Sequence, residues 1–286
     1  MVLNKIKTYG ELVMFSHTIF SLPFALIAMF IAADGLPSFK LIVLILIALV
    51  SGRTGANAIN RWIDKDMDKK NPRTASRHIP MGDVKEYEVI LLTIVCYIIF
   101  VVSAYFINPI CFYLSPVALF LFTLYSYTKR FTWACHIVLG ITVAGAPVGA
   151  WLAVRGSFDI VPLILGAIVA LWVSGFDILY GTQDIEFDKS NGVYSIPAYF
   201  GLDKSLIISK VFHSMMLIFL VTLNVFVDFG IMYNIGIVIS AILLYIEHNN
   251  VDPNSTKIMK HVSYSINQII SIIIFSFATI DIVFII

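Results

Sequence analysis

Long apolar runs separated by short polar breaks dominate the chain. Nine stretches stand out, at about 15–33, 41–63, 87–107, 110–128, 136–153, 161–180, 205–226, 230–246 and 264–286. A helix of about 20 apolar residues crosses a hydrocarbon core of roughly 30 Å. The breaks carry turn chemistry: DGLPS at Asp34–Ser38, NP at Asn108–Pro109, RGS at Arg155–Ser157 and NNVDPNS at Asn249–Ser255. The pattern predicts an all-α, polytopic membrane bundle of about nine transmembrane helices.

Composition sharpens this. Of 286 residues 59% are hydrophobic and 13% charged, with a mean hydropathy of +0.90. A soluble domain has no means of hiding that much apolar surface. The net charge of +1 gives no field that would attract nucleic acid, so membrane lipid is the expected surroundings. Cys96, Cys111 and Cys135 lie in or beside apolar runs with neither metal-ligand spacing nor a disulfide framework. The first run, from about Phe15, lacks a small-residue cleavage site and reads as a retained span.

Basic residues set the orientation. With the N-terminus inside, 14 Lys and Arg fall in cytoplasmic segments and only Lys40 and Arg155 on the opposite side. Arg53, Arg61 and Lys210 fall in or at the ends of helices. This predicts an inner (cytoplasmic) membrane protein whose two long loops, 64–86 and 181–204, face the cytoplasm.

One polar stretch is unlike the others. Asn60–Arg77 follows an apolar run yet holds three aspartates and six basic residues. Asn60, Asp64 and Asp68 step by four, which aligns them on one helical face. Arg53 lies two turns earlier. A second stretch, Asp177–Pro197, repeats the pattern: Tyr180, Asp184 and Asp188 each lie 120 residues after Asn60, Asp64 and Asp68. The chain therefore reads as one domain, 1–286, with pseudo-repeated halves at about 15–128 and 136–246 and a last helix at about 264–286. Sites at repeat interfaces are familiar in membrane folds.

A lone DxxxD at a helix end is commonly a solvated cap. Two copies in register, each followed by a loop with basic residues, are harder to dismiss. Arg53 inside a span costs about 2.5–3.5 kcal/mol on insertion scales, and such residues are functional by default. Converging carboxylates repel one another, and a divalent cation removes the conflict. Mg²⁺ takes one or two carboxylates and completes its shell with water and phosphate oxygens. Two acidic faces thus suggest a metal-bridged diphosphate, with Arg53, Arg73, Arg77 and Lys129 available to neutralise the remaining charge.

These residues resemble a known family. Arg53, Asn60, Asp64, Asp68, Arg73, Thr74, Arg77, Pro80 and Gly82 match the first signature of the UbiA superfamily of intramembrane aromatic prenyltransferases, the 4-hydroxybenzoate polyprenyltransferase type in particular. Asp177, Tyr180, Asp184, Asp188, Gly192, Val193 and Ser195 match the second, and YSYTKRFT at Tyr125–Thr132 is a lesser match. The chain departs from the pattern at Arg61, where the family has Asp, and at His78, where it has Pro. The opening FSHTIFSLPFAL, Phe15 to Leu26, and the Asn60–Arg61 pair are similar to a branch associated with futalosine-route menaquinone, which prenylates a dihydroxynaphthoate.

The resemblance implies Mg²⁺-dependent transfer of a polyprenyl group from polyprenyl diphosphate to an aromatic hydroxy-carboxylate such as 4-hydroxybenzoate, in ubiquinone or menaquinone biosynthesis. It implies metal ligation by Asn60, Asp64, Asp68, Asp184 and Asp188, the four aspartates being the catalytic set. Substrate binding would fall to Arg53, Asn60, Arg73, Arg77, Lys129, Tyr180 and Asp177, with Arg130 anchoring the acceptor carboxylate and Lys129 its alternative. KR at a helix end also satisfies the positive-inside rule, and Tyr180 serves packing equally well. An ion-coupled transporter would share the repeats and intramembrane charges but would not need two acidic faces in register. A CDP-alcohol phosphatidyltransferase would need a DG-x2-AR leader, which is absent.

Overall fold

A computed structural model describes residues 2–14 and 18–285, whose regular elements are helices with no strand among them. In chain order the helices are α1 (Val2–Leu12), α2 (Thr18–Ala33), α3 (Phe39–Ile63), α4 (Lys65–Lys70), α5 (Glu86–Ile107), α6 (Pro109–Thr128) and α7 (Cys135–Arg155). There follow α8 (Ile160–Gly181), α9 (Ile185–Asn191), α10 (Ile196–Phe200), α11 (Leu202–Leu223), α12 (Ile231–Asn249), α13 (Thr256–Lys260) and α14 (Asn267–Thr279). Among the described residues, eight segments are long and apolar enough to cross a membrane, and Leu22–Ala33 is a shorter apolar helix. About nine spans therefore agrees with the sequence. Phe15–His17, where the first span was expected to begin, and Ile286, where the last was expected to end, lie outside the described residues.

Most boundaries lie within three residues of expectation, and two starts that moved have a local cause. The span expected from 205 starts at Leu202, directly after Gly201 at φ 82°. The last was expected from 264 but starts at Thr256, where the Ser255 hydroxyl accepts from Ile258 N. Lys257, Lys260 and His261 masked that first stretch in the sequence. A π-turn at His261–Ile266 joins α13 to α14.

The chain forms two compact units. The first holds the described residues up to 18 and residues 39–127. In it α3 packs along α5, and the rings of Phe100 and Phe122 meet edge-on, 5.5 Å between centroids. Asn57 and Arg61, one turn apart on α3, serve the end of α1. Asn57 Nδ2 donates to Val13 O at 2.6 Å and Arg61 Nε to Leu12 O at 3.3 Å. They satisfy carbonyls that a helix C-terminus leaves without internal partners. Leu12, Val13, Ala58, Val84 and Val89 form an apolar cluster in this unit.

The second unit holds residues 19–38 and the described residues from 128 on. Its axis is α8, packed against α7 and α11 and buried along most of its length. The sequence repeat groups α2 with the first half, but by packing α2 belongs here: Phe24 lies 5.2 Å from Trp172, and Asp34 pairs with Arg155 at 2.8 Å. A polar network, buried except at half-buried His248, ties α8 to the last three spans. Trp172 Nε1 donates to Asn267 Oδ1 at 2.6 Å, Asn267 Nδ2 donates to Glu247 Oε1 at 2.9 Å, and His213 Nδ1 lies 3.0 Å from His248 Nε2. Asp281, also buried, accepts from Tyr233 N at 2.8 Å and so satisfies the first turn of α12.

Candidate active site

In the first unit the acidic face survives a local break. Helix α3 ends at Ile63 and α4 begins at Lys65. Yet Asp64 N donates to Asn60 O at 3.0 Å and Asp68 N to Asp64 O at 2.8 Å. The four-residue ladder thus runs through the junction and keeps Asn60, Asp64 and Asp68 on one side. Asp64 and Asp68 are buried, 1% and 5% exposed, while Asp66, two positions off the face, is exposed. Asn60 Nδ2 donates to Asp64 Oδ2 at 2.9 Å and to Ser126 Oγ of α6 at 3.2 Å. Its Oδ1 takes no part in either bond.

The loop after α4 then folds back. The Asn71 side chain accepts from Arg73 N at 2.9 Å, and Thr74 Oγ1 donates to Asp68 O at 3.1 Å. These turns bring Arg77 Nη1 to both oxygens of Asp68, at 2.6 and 2.7 Å. Asp68 was expected among the metal ligands and Arg77 among the diphosphate binders; the fold pairs them with each other. Arg73 is half-buried, and Arg53 is half-buried two turns before Asn60 on α3. Arg61, at the family's Asp position, turns to Leu12 O and Met14 Sδ of the neighbouring segment. His78, at the family's Pro position, contacts Asp83 at 3.2 Å.

In the second unit a short 3₁₀ turn, Thr182–Asp184, links α8 to α9. Asp184 is half-buried and Asp188 is 8% exposed. Helix α9 ends at Gly192, whose φ of 66° favours a residue without Cβ. This turn returns the chain so that Ser195 Oγ donates to Asp188 Oδ2 at 2.8 Å, while the same hydroxyl caps α10 by accepting from Ala198 N. Tyr194 N donates to Lys129 O at 2.8 Å, which holds the segment after α6 against this loop. Lys129 is half-buried and Arg130 exposed. Tyr180 packs on Tyr264 with ring centroids 4.6 Å apart. Asp177, within the α8 span, pairs with His136 Nδ1 of α7 at 2.8 Å.

Sequence reasoning gave no role to Ser126, His136 or Ser195. Ser195 carried a signal, since it closes the second signature. His136 carried only the faint one of an imidazole at the start of an apolar helix. Its Nε2 is buried with no hydrogen-bond partner, an omission that costs about 1–3 kcal/mol.

Among the described residues no group of three or more His, Cys, Asp or Glu side chains could hold a metal ion by itself. The donor chemistry suits a different arrangement. The Asn60 carbonyl with Asp64, and Asp184 with Asp188, are hard oxygen pairs of the kind Mg²⁺ accepts when water and phosphate complete its shell. By that test the residues fit Mg²⁺ held together with a diphosphate.

The chain is similar to known proteins over most of its length. The model of the UbiA prenyltransferase family matches residues 21–266. The 4-hydroxybenzoate octaprenyltransferase of Vibrio parahaemolyticus is 30% identical over 82% of this chain and 82% of its own length. That of Francisella tularensis subsp. novicida is 30% identical over 76% of each. The apo structure of a UbiA homolog from Aeropyrum pernix K1 superposes with a TM-score of 0.84 at 29% identity, covering 93% of this chain and 98% of that one. A UbiA homolog from Archaeoglobus fulgidus bound to GPP and Mg²⁺ shares the fold, with a TM-score of 0.74 at 20% identity over 96% and 99% of the two chains. With both signatures in place and the family model covering most of its length, the chain belongs to the UbiA prenyltransferase family and is a multi-pass membrane prenyltransferase.

Proposed function

We propose that the protein transfers a polyprenyl group from polyprenyl diphosphate to a carbon beside the hydroxyl of an aromatic hydroxy-carboxylate, 4-hydroxybenzoate or a close analogue, in quinone biosynthesis. One observation carries the reading: in each unit an apolar span ends in a buried carboxylate, Asp64 or Asp188. Burying a carboxylate is costly unless a partner or ligand compensates. The relatives named above are 4-hydroxybenzoate octaprenyltransferases, and one fold neighbour binds GPP with Mg²⁺.

The bonds within each unit support a division of labour. Asn60 with Asp64 in the first unit, and Asp184 with Asp188 in the second, would each hold Mg²⁺, which supplies charge neutralisation for the departing diphosphate when bound. Asn60 and Ser195 orient Asp64 and Asp188 through the bonds described. Asp68 grips Arg77 and so aims a guanidinium at the diphosphate; Arg53, Arg73 and Lys129 add positive charge, and Tyr180 borders the site. Arg130 anchors the acceptor carboxylate, with Lys129 the alternative. The apolar spans would keep water from the allylic carbon as the diphosphate departs. The signatures and N-terminus face the cytoplasm, and the membrane is the inner one.

Membranes containing the protein, incubated with labelled polyprenyl diphosphate and 4-hydroxybenzoate, test this directly. A prenylated aromatic product that vanishes with EDTA and returns with Mg²⁺ is expected. The Asn60–Arg61 pair resembles the dihydroxynaphthoate branch, so 1,4-dihydroxy-6-naphthoate is the parallel arm. No product with either acceptor would sink the proposal.

A further inference from the structure

Helix α8 is covered on most of its circumference. Its incompletely covered positions include Ala167, Ala170, Leu171, Asp177 and Tyr180, which recur at helical spacing and, with Asp184 in the 3₁₀ turn that follows, form one stripe. Chemistry changes along it, from the acidic end at Asp184 through Tyr180 to Asp177, then to small and apolar residues. Asp177 lies seven residues before Asp184, so roughly 10 Å further into the span at 1.5 Å per residue. On the function proposed above, the diphosphate sits at the Asp184 end and the prenyl chain runs along the apolar part. Asp177 then stands at the depth where the reacting carbon passes from one to the other.

A carboxylate at that depth is functional by default, and Asp177 is held in a particular way. Its Oδ2 lies 2.8 Å from His136 Nδ1, and the Asp177 side chain is 27% exposed while that of His136 is 8% exposed. Against an ionised carboxylate the ring nitrogen must carry the proton. The other edge of the ring rests on Gly181, where a Cβ would meet His136 Cε1 at 3.0 Å. His136 Nε2 is buried and unpartnered. The imidazole is thus sealed in, and the carboxylate is the end open to a ligand. Simple packing does not call for that arrangement.

Resting on the aromatic prenyl-transfer reading, we propose that Asp177 is the base that takes the proton from the acceptor's hydroxyl, and that His136 is its positioning residue. The hydroxyl proton moves to the Asp177 carboxylate, and the oxygen's electron pair enters the ring. The adjacent ring carbon bonds to C1 of the prenyl group as the C1–O bond breaks, its electron pair leaving on diphosphate. The ring carbon's own proton then passes to the released diphosphate, which restores aromaticity. Asp177 returns its proton to the oxygen. Every atom is accounted for, and no oxidant or reductant is required.

The test compares 4-hydroxybenzoate with 3-fluoro-4-hydroxybenzoate, whose hydroxyl ionises more readily and which keeps one open carbon beside it. Asp177→Asn should lower kcat with 4-hydroxybenzoate by about 100-fold or more, within the range that general bases supply. The loss should be about tenfold smaller with the fluorinated acceptor, while binding of geranyl thiodiphosphate stays within about twofold of wild type. His136→Leu should show a smaller loss with the same acceptor dependence, and His136→Asn, which offers an amide N–H near the Nδ1 position, should recover part of it. Asp177→Asn with near-normal kcat, or an equal loss with both acceptors while the donor still binds, overturns the proposal alone. A wild type that prenylates neither acceptor overturns the parent reading and this one with it.

Discussion

Asp68 and Arg77 show how much a single pair decides. Asp68 is 7% exposed at its side chain and Arg77 29%, so the aspartate depends on the guanidinium for compensation. Breaking a buried ion pair by removing one partner costs about 3–5 kcal/mol, and the partial exposure of Arg77 puts this case toward the low end. Arg77→Ala should therefore lower the melting temperature of the detergent-solubilised protein as well as its activity. Adding Asp68→Asn should restore part of the stability and none of the activity; a double variant no more stable than Arg77→Ala would remove the pairing as the cause. At Arg130 the expectation is kinetic. A charge-assisted bond to a carboxylate is worth about 1.5–3 kcal/mol, so Arg130→Ala should raise the acceptor KM by about ten- to hundredfold and leave the donor KM nearly unchanged. A raised donor KM instead would move Arg130 to the diphosphate. The alignment of Asn60, Asp64 and Asp68 was legible in the sequence because helical spacing alone dictates it. The grip of Arg77 on Asp68 was not, since it depends on the turns at 71–77. Nor was the His136–Asp177 pair, whose members are 41 residues apart.

Among the elements, α1 illustrates how a short helix is fixed without a long apolar face of its own. Asn57 and Arg61 from α3 take up the carbonyls of Val13 and Leu12. Asn57→Ala should cost about 1 kcal/mol, the usual net worth of one such bond, and should speed proteolysis near α1 before it affects the spans. A unchanged cleavage pattern would show that α1 is held by its apolar cluster alone. The same contact explains why the family's Asp position tolerates Arg61 here: the side chain leaves the acidic face and serves the neighbouring helix. Helix existence was legible throughout from run length. Ends were less so, because Gly201 and Ser255 act through backbone geometry and capping, which hydropathy does not register.

For the molecule as a whole, the sequence yielded two acidic signatures 120 residues apart. It did not yield the grouping of α2, which depends on Phe24 meeting Trp172 across nearly 150 positions of chain. Orientation rests on the distribution of basic residues and is open to measurement. Ser76, Ser157 and Ser190 are exposed. In a background lacking the three native cysteines, Ser76→Cys and Ser190→Cys should react with a membrane-impermeant thiol reagent only from the cytoplasmic side, and Ser157→Cys only from the other. Labelling of position 76 in intact cells would invert the topology and, with it, the side from which diphosphate arrives.

The buried network around Glu247 bears on how the chain is made. Glu247 and Trp172 belong to spans that enter the membrane before α14, yet both meet Asn267, which α14 supplies. Until that last span is released from the ribosome, a carboxyl group and an indole N–H lack this partner in a medium that offers few alternatives. The nascent protein therefore carries a marker of incompleteness that its own C-terminal segment erases. A chain stopped near residue 255 should be recognised by membrane quality control and degraded, and Asn267→Leu in the full chain should shorten its lifetime in the same way, which pulse–chase turnover would reveal.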